Sequence, residues 1–261
     1  MKTQIYIATH KKFEVPKLSG YIPLEVGSAL RNLECNYIKD LEGDSISEKN
    51  ATFCELTGLY WIWKNTSDDI VSFCHYRRYF SKSRVSANSS LFITVSEIEK
   101  NLSSYDIILP EKWIWKTHTV STGYYEVGKG FEKDLITIRG IIQNHCPDYL
   151  DSFDKILNGN SASYCNMFCM KKELLNKYCE WLFDILFEAE RLIDISSYTE
   201  QEKRIFGYLS EILLNVWVEK NKLKVYFSPM VNMGRNYGKR YKLADMSVVF
   251  RNYTKRLNYL K

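Results

Sequence analysis

Residues 68–80, DDIVSFCHYRRYF, bring an imidazole and two guanidinium groups together at the end of a short apolar run. His75, Arg77 and Arg78 lie where the run from Ile70 to Cys74 gives out. A planar guanidinium fork matches the oxygens of a phosphate, and two forks side by side suit a diphosphate. Read from spacing alone, an alternative stands beside this one: both arginines pair with carboxylates at the edge of a core, and His75 packs within a sheet. If the chain stays extended, alternation puts His75 and Arg77 on one face and Tyr76 and Arg78 on the other. A second polar set recurs at helical spacing. Glu200, Arg204, Tyr208, Glu211 and Asn215 form one stripe beside an apolar one, with Gly207 leaving room for a ligand.

Other chemistries find less support. The seven cysteines include no CxxC, and Cys165 and Cys169 lack the partners of a zinc site. Buried free thiols in a reducing cytoplasm are expected. The apolar stretch in MKTQIYIATHKK is too short for a signal peptide, and no run has the length of a membrane span. The net charge is +5. Residues 234–261 hold eight basic residues against the single acid Asp245, a net +7 that leaves −2 on residues 1–233. In the same tail Met246, Val249, Phe250, Tyr253, Leu257 and Leu260 repeat at helical spacing. A basic amphipathic helix can lie on an anionic membrane, or dock on its own domain with its basic face in water. Nucleic-acid binding would have to rest on this tail alone, since the body is slightly acidic.

These groups need elements to position them. Thr3–His10 reads as a first strand, Ser47–Asn65 as a helix with Ser47 at its N-cap, and Ile70–Cys74 as a buried strand. Tyr105–Pro110, Asn166–Met170 and Lys224–Phe227 read as further strands. Residues 132–157 read as two helices broken near Pro147. Residues 172–192 and 200–220 read as long helices, the first with Leu174, Tyr178, Trp181, Leu182, Ile185 and Ala189 on one face. Alternating strands and helices predict an α/β fold with a mainly parallel sheet flanked by helices and a helical C-terminal portion. Ligands of such sheets bind beyond the carboxyl ends of the strands, where His75 to Arg78 stand. One domain over 1–233 with a basic tail over 234–261 is the simplest organisation.

The segments ISEKNATFCELTGLYWIWKN, HYRRYF, YDIILP, NMFCMKKELLNKYCEWLFDILFEAE and RIFGYLSEILLNVWVEKN together resemble the bacterial family called domain of unknown function 4422, from Ile5 to about Val231. Members of that family occur among capsular-polysaccharide and O-antigen glycosyltransferases, some of them galactofuranosyltransferases. The resemblance implies a GT-A-like, Rossmann-related fold. It also implies transfer of a hexose, galactofuranose first, from a UDP-sugar to a polyprenyl-diphosphate-linked glycan at the inner face of the cell membrane. A non-catalytic glycan- or nucleotide-binding protein recruited to the membrane is the alternative.

Transfer from a nucleotide sugar expels a nucleoside diphosphate, whose growing charge must meet cations. GT-A enzymes usually hold a divalent metal with Asp-x-Asp at a central strand end. That position here resembles His75-Tyr76-Arg77-Arg78, while Asp68-Asp69 precedes the strand. The expectation is therefore that Arg77 and Arg78 do the metal's electrostatic work and no metal is required. A manganese or magnesium ion ligated by His75 is the alternative. Glu211 is the first candidate for the base that takes the acceptor proton; Asp134, Asp194 and His118 follow. Arg204 becomes a second phosphate or sugar contact. By analogy with the family, Thr9, His10 and Gly27 contact the nucleoside. Lys49 and Asn50 open a helix whose N-terminus suits an anion. Tyr164, Asn166 and His118 face the acceptor. The family often has a histidine just before this asparagine, and another near Tyr125–Phe131. Here Ser161-Ala162-Ser163 and YYEVGKGFEKDL stand instead.

Overall fold

The computed structural model describes residues 1–234. The first half of the chain forms β1 (Thr3–Thr9), β2 (Tyr21–Glu25), β3 (Ile38–Lys39), α1 (Asn50–Phe53), α2 (Leu56–Asn65), β4 (Ile70–His75), β5 (Arg78–Phe80), α3 (Val95–Leu102), β6 (Ile107–Pro110) and β7 (Trp113–Ile114). The second half forms α4 (Val120–Thr122), α5 (Glu132–His145), α6 (Leu150–Asn158), β8 (Ser161–Ala162), β9 (Phe168–Lys171), α7 (Lys172–Leu192), α8 (Ile205–Lys220), β10 (Val225–Ser228) and β11 (Met230–Asn232). The fold is α/β, with a mainly parallel central sheet in the order β10-β6-β9-β4-β1-β2-β3. β1 pairs parallel with β2 and β4, β2 with β3, and β10 with β6. Within this path β9 runs against both its neighbours, β4 and β6. Strand β5 folds back on the end of β4, and β11 pairs with β5.

Side chains alternate across β1 as a pleated strand requires. Tyr6 and Ala8 face the larger core, packed under α2, α5, α6, α7 and α8, whereas Ile5 and Ile7 face a smaller core closed by α3 and the β5–β11 ribbon. The long helix over 172–192 forms as expected, with Leu175, Tyr178, Leu182, Ile185, Leu186 and Ala189 buried. The break near Pro147 is present between α5 and α6. All seven cysteines are free. No helix among the described residues is long and apolar enough to cross a membrane.

Three local expectations are corrected. The stretch 47–65 is not one helix: α1 ends at Cys54, whose φ of 53° belongs to the left-handed region, and α2 starts afresh at Leu56. Ser47 does not cap it, because its hydroxyl donates to Asp40 Oδ1 (2.5 Å). The helix expected from residue 200 begins at Ile205, and Glu200 stands exposed ahead of it, paired with Lys203. The amphipathic stripe of the basic tail falls on residues 246–260, outside the described residues.

Candidate active site

The first wall of the site is a reversal rather than an extended strand. β4 ends at His75, Tyr76 and Arg77 turn, and Arg78 pairs antiparallel with His75 as β5 begins. This corrects the expected alternation of faces. Arg77 stands exposed at the tip with its guanidinium 5.0 Å from the Tyr76 ring, while Arg78 is half-buried. The Met233 amide donates to the Arg77 carbonyl (2.8 Å), so β11 pins the turn. Neither guanidinium has a carboxylate partner among the described residues, so the core-edge pairing is not what holds them. Asp68, at the opposite end of β4, is buried and bound by Tyr6 Oη (2.6 Å) and Lys2 Nζ (2.8 Å).

The second wall is built from the α1–α2 break, the 163–166 loop and α8. Cys165 and Asn166 both adopt positive φ, 78° and 48°, which turns their peptide groups inward. The Cys165 amide donates to Glu211 Oε1 (3.0 Å), and its carbonyl lies 2.5 Å from His75 Nε2. Because a carbonyl only accepts, Nε2 carries the hydrogen and Nδ1 keeps its lone pair. That tautomer can accept a proton or ligate a metal, but it cannot donate from Nδ1 to a phosphate oxygen. Asn166 Nδ2 donates to Glu55 Oε1 (2.8 Å) and the Gly207 carbonyl (3.1 Å), and its Oδ1 accepts from Ser210 Oγ (2.9 Å). Asn215 closes the network with two bonds to the Ser163 backbone. Gly207 does not leave room for a ligand: a Cβ there would lie 3.2 Å from both Cβ and Sγ of Cys54. Its bareness instead lets the Cys54 turn approach α8, where Arg204 Nε donates to Cys54 Sγ (3.2 Å).

Charge is concentrated between these walls. Burial, and then the neighbouring Glu55 carboxylate, raise the Glu211 pKa to about 8, against the Cys165 amide, Arg78 and Arg204, which favour ionisation. Burial lowers the proton affinity of His75, with Arg78 and Arg204 adding to it and Glu55 opposing, which favours the neutral ring. His10 is also lowered, first by partial burial and then by Arg31, Lys11, Arg77 and Arg204. Arg204 thus acts on both histidines, and the cations form one neighbourhood beyond the carboxyl ends of β1 and β4. Burial pushes the Cys54 and Cys165 thiols up to about 12, so neither is a ready thiolate.

A model of the family described as domain of unknown function (DUF4422) matches residues 4–222. The chain belongs to this family. Among solved structures, it is similar to the apo form of WbbM, a bifunctional glycosyltransferase, with 29% identity and a TM-score of 0.82 over 90% of this chain. The chain spans 46% of that protein's length. A comparison with curated proteins finds no match.

Several expected site residues of this DUF4422 chain have other work. Thr9 is buried, and its hydroxyl closes the next loop by donating to the Lys11 carbonyl (2.6 Å). The Gly27 amide donates to Asp40 Oδ2 (2.8 Å), so it is not free for a nucleotide. Lys49 is held by Glu190 (2.8 Å), and the helix it precedes is one turn long. Asn50 is buried; it accepts from Arg31 Nη2 (3.1 Å) and donates to the Cys54 carbonyl (2.6 Å). Asp134 is buried under Tyr198 Oη (2.7 Å), and Asp194 binds the Ser196 amide (2.9 Å). His118 bonds Thr117 (2.9 Å) and lies 3.4 Å from Glu126. Tyr164 accepts from Trp115 Nε1 (2.9 Å).

Sequence reasoning missed Glu55 and Arg31. Glu55 sits one residue after the hidden left-handed turn. Arg31 is delivered by a loop whose Gly27 and Ser28 are clamped by the buried Asp40 carboxylate. Among the described residues no group of three or more His, Cys, Asp or Glu side chains could hold a metal ion.

Proposed function

We propose that the chain is a glycosyltransferase that moves a hexose, galactofuranose first, from a UDP-sugar to a growing cell-surface polysaccharide on a GT-A-like sheet. The observation that carries this reading is the set of cations without carboxylate partners among the described residues, Arg77, Arg78 and Arg204, beyond the carboxyl ends of β1 and β4. Arg78 is half-buried, and a partly desolvated guanidinium needs an anion to offset its lost hydration, while the exposed Arg77 and Arg204 add positive charge beside it. A sugar diphosphate supplies one, and its charge grows as the glycosidic bond to phosphate breaks. His10 and Arg31 stand nearest β1, where the nucleoside would lie.

In a direct displacement the acceptor oxygen bonds the anomeric carbon as the bond to the diphosphate breaks, and the acceptor's proton passes to Glu211. A carboxyl whose pKa lies near 8 is poised for this, since a base works best with a pKa close to the working pH. Glu55, beside it, holds Asn166 in place and strengthens the hold of Glu211 on the proton. Arg78 and Arg204 take the electrostatic part that a metal plays in other transferases. Nδ1 of His75 is the side-chain atom best suited to a manganese or magnesium ion if one takes part. The acceptor would be a polyprenyl-diphosphate-linked glycan, with residues 234–261 holding the enzyme at the anionic inner face of the membrane.

A thermal melt with a panel of UDP-hexoses, followed by turnover with and without EDTA, tests the reading. A true donor raises the melting temperature, because it binds the native state, and UDP is released when a soluble acceptor is added. The reading is wrong if UDP and every UDP-hexose leave the melt unchanged. Complete loss of turnover in EDTA, restored by manganese, would refute metal independence alone.

A further inference from the structure

A row of aromatic rings leads from solvent into the candidate site. β7 pairs with β8, setting Trp113 opposite Ala162 and Ile114 opposite Ser161. Trp113 is 56% exposed, and its ring centre is 6.1 Å from that of Trp115. Trp115 is fixed from three sides. Its amide donates to the Asn160 carbonyl (2.8 Å), its Nε1 to Tyr164 Oη (2.9 Å), and Gly123 leaves the space its indole fills, since a Cβ there would lie 2.6 Å from the ring. Tyr164 is followed at once by Cys165, whose amide holds Glu211. Trp113, Trp115, Tyr164 and the proton-accepting carboxyl therefore follow one another inward.

We propose that Trp113, Trp115 and Tyr164 form an aromatic platform that receives the sugar rings of the acceptor glycan and leads its terminal hydroxyl to Glu211; the direction of this path rests on the glycosyltransferase reading. An exposed indole held by strand pairing gives up little freedom when a ligand covers it, and its flat apolar face fits the C–H face of a pyranose or furanose ring. The edges of the row are polar. Tyr164 Oη accepts from Trp115 and so keeps its own hydrogen for a sugar oxygen, while Thr117 and the side chain of Asn160 stand exposed beside the ribbon. Apolar rings with polar rims are what a neutral saccharide needs. A bilayer would need neither the hydroxyl nor the inward path.

The test uses the full chain with Trp113→Ala and Trp113→Phe. Octyl glycosides of galactose, glucose, N-acetylglucosamine and rhamnose are titrated against tryptophan fluorescence without donor, and the acceptor KM is measured at saturating UDP-sugar. The expected result is a glycoside-dependent change in the native protein that Trp113→Ala weakens about tenfold and Trp113→Phe largely restores. The acceptor KM should rise in parallel, with kcat and the UDP-induced melting shift unchanged. The platform is overturned if no glycoside perturbs the fluorescence, or if Trp113→Ala binds them like the native chain. It is also overturned if that variant loses only its hold on vesicles of phosphatidylglycerol and phosphatidylethanolamine. Because the fluorescence titration needs no donor, failure of the platform is separable from failure of the transferase reading, which the UDP melt decides.

Discussion

Replacing Glu211 by glutamine should make the protein more stable and less active at once. The native carboxyl keeps its proton up to about pH 8, against an ordinary value of 4.5. Below pH 4.5 the folded and unfolded chains both hold that proton, and stability is indifferent to it. Between 4.5 and 8 the unfolded chain releases the proton and the folded chain keeps it, so stability falls as pH rises, by at most ~1.4 kcal/mol per unit. Over the whole interval that reaches about 5 kcal/mol, an upper bound because part of Glu211 still touches solvent. Glutamine is the neutral isostere and can still accept from the Cys165 amide. Urea unfolding of both proteins at pH 5, 6, 7 and 8 should give curves that nearly coincide at pH 5 and separate by several kcal/mol at pH 8, with the variant above. Turnover of the variant should drop about 10²- to 10⁴-fold if Glu211 takes the acceptor proton. Native kcat/KM should climb toward pH 8 as the carboxylate forms. Parallel stability curves would show that Glu211 titrates as an ordinary surface carboxyl, and retained turnover would remove it from the chemistry.

Three further outcomes are expected. Arg204→Ala should weaken donor binding or turnover by about 10²-fold, since its charge acts on both histidines; an unchanged UDP titration by calorimetry would place it outside the donor site. Asp40→Ala leaves the donors of Gly27, Ser28, Ser47 and Thr57 without their acceptor, and should cost about 3–5 kcal/mol in chemical denaturation. A loss below about 1 kcal/mol would mean that water replaces the carboxylate. Gly27→Ala forces a side chain onto φ +67°, with its Cβ 2.4 Å from Asn50, and should lower stability by more than about 1 kcal/mol. It should weaken UDP binding too, because Asn50 holds Arg31; an unaltered UDP titration would detach that loop from the donor.

What could be read from the sequence was whatever leaves a periodic trace. The apolar run into His75 marked a strand end, and the spacing of 172–192 and 200–220 marked the two long helices that frame the site, the second of which starts only at Ile205. The turn after His75 left no trace, because Tyr76-Arg77 carries none of the glycine or asparagine that usually signals a two-residue hairpin. The β11 strand and the Met233–Arg77 bond hold that turn from far along the chain. The break at Cys54 was hidden for the same reason. Phe53, Leu56, Tyr60 and Trp63 keep helical spacing across it, and only the side-chain bonds that Asn50 and the distant Arg204 make to Cys54 disclose it. Glu55 therefore did not stand out. The direction of β9 was equally silent, since a buried run reads alike in parallel and antiparallel pairing.

Three residues without a glycine's freedom, Cys54, Cys165 and Asn166, take left-handed backbone angles where the cleft is assembled. Each such angle costs roughly 1–3 kcal/mol that better-suited residues would not forfeit. Selection for heat resistance alone would relax these positions early, and at Cys165 would thereby let go of the amide and carbonyl that hold Glu211 and His75. At Cys165 durability and the assembly of the candidate site pull against each other, and the ease of improving one measures how much of the other depends on tension.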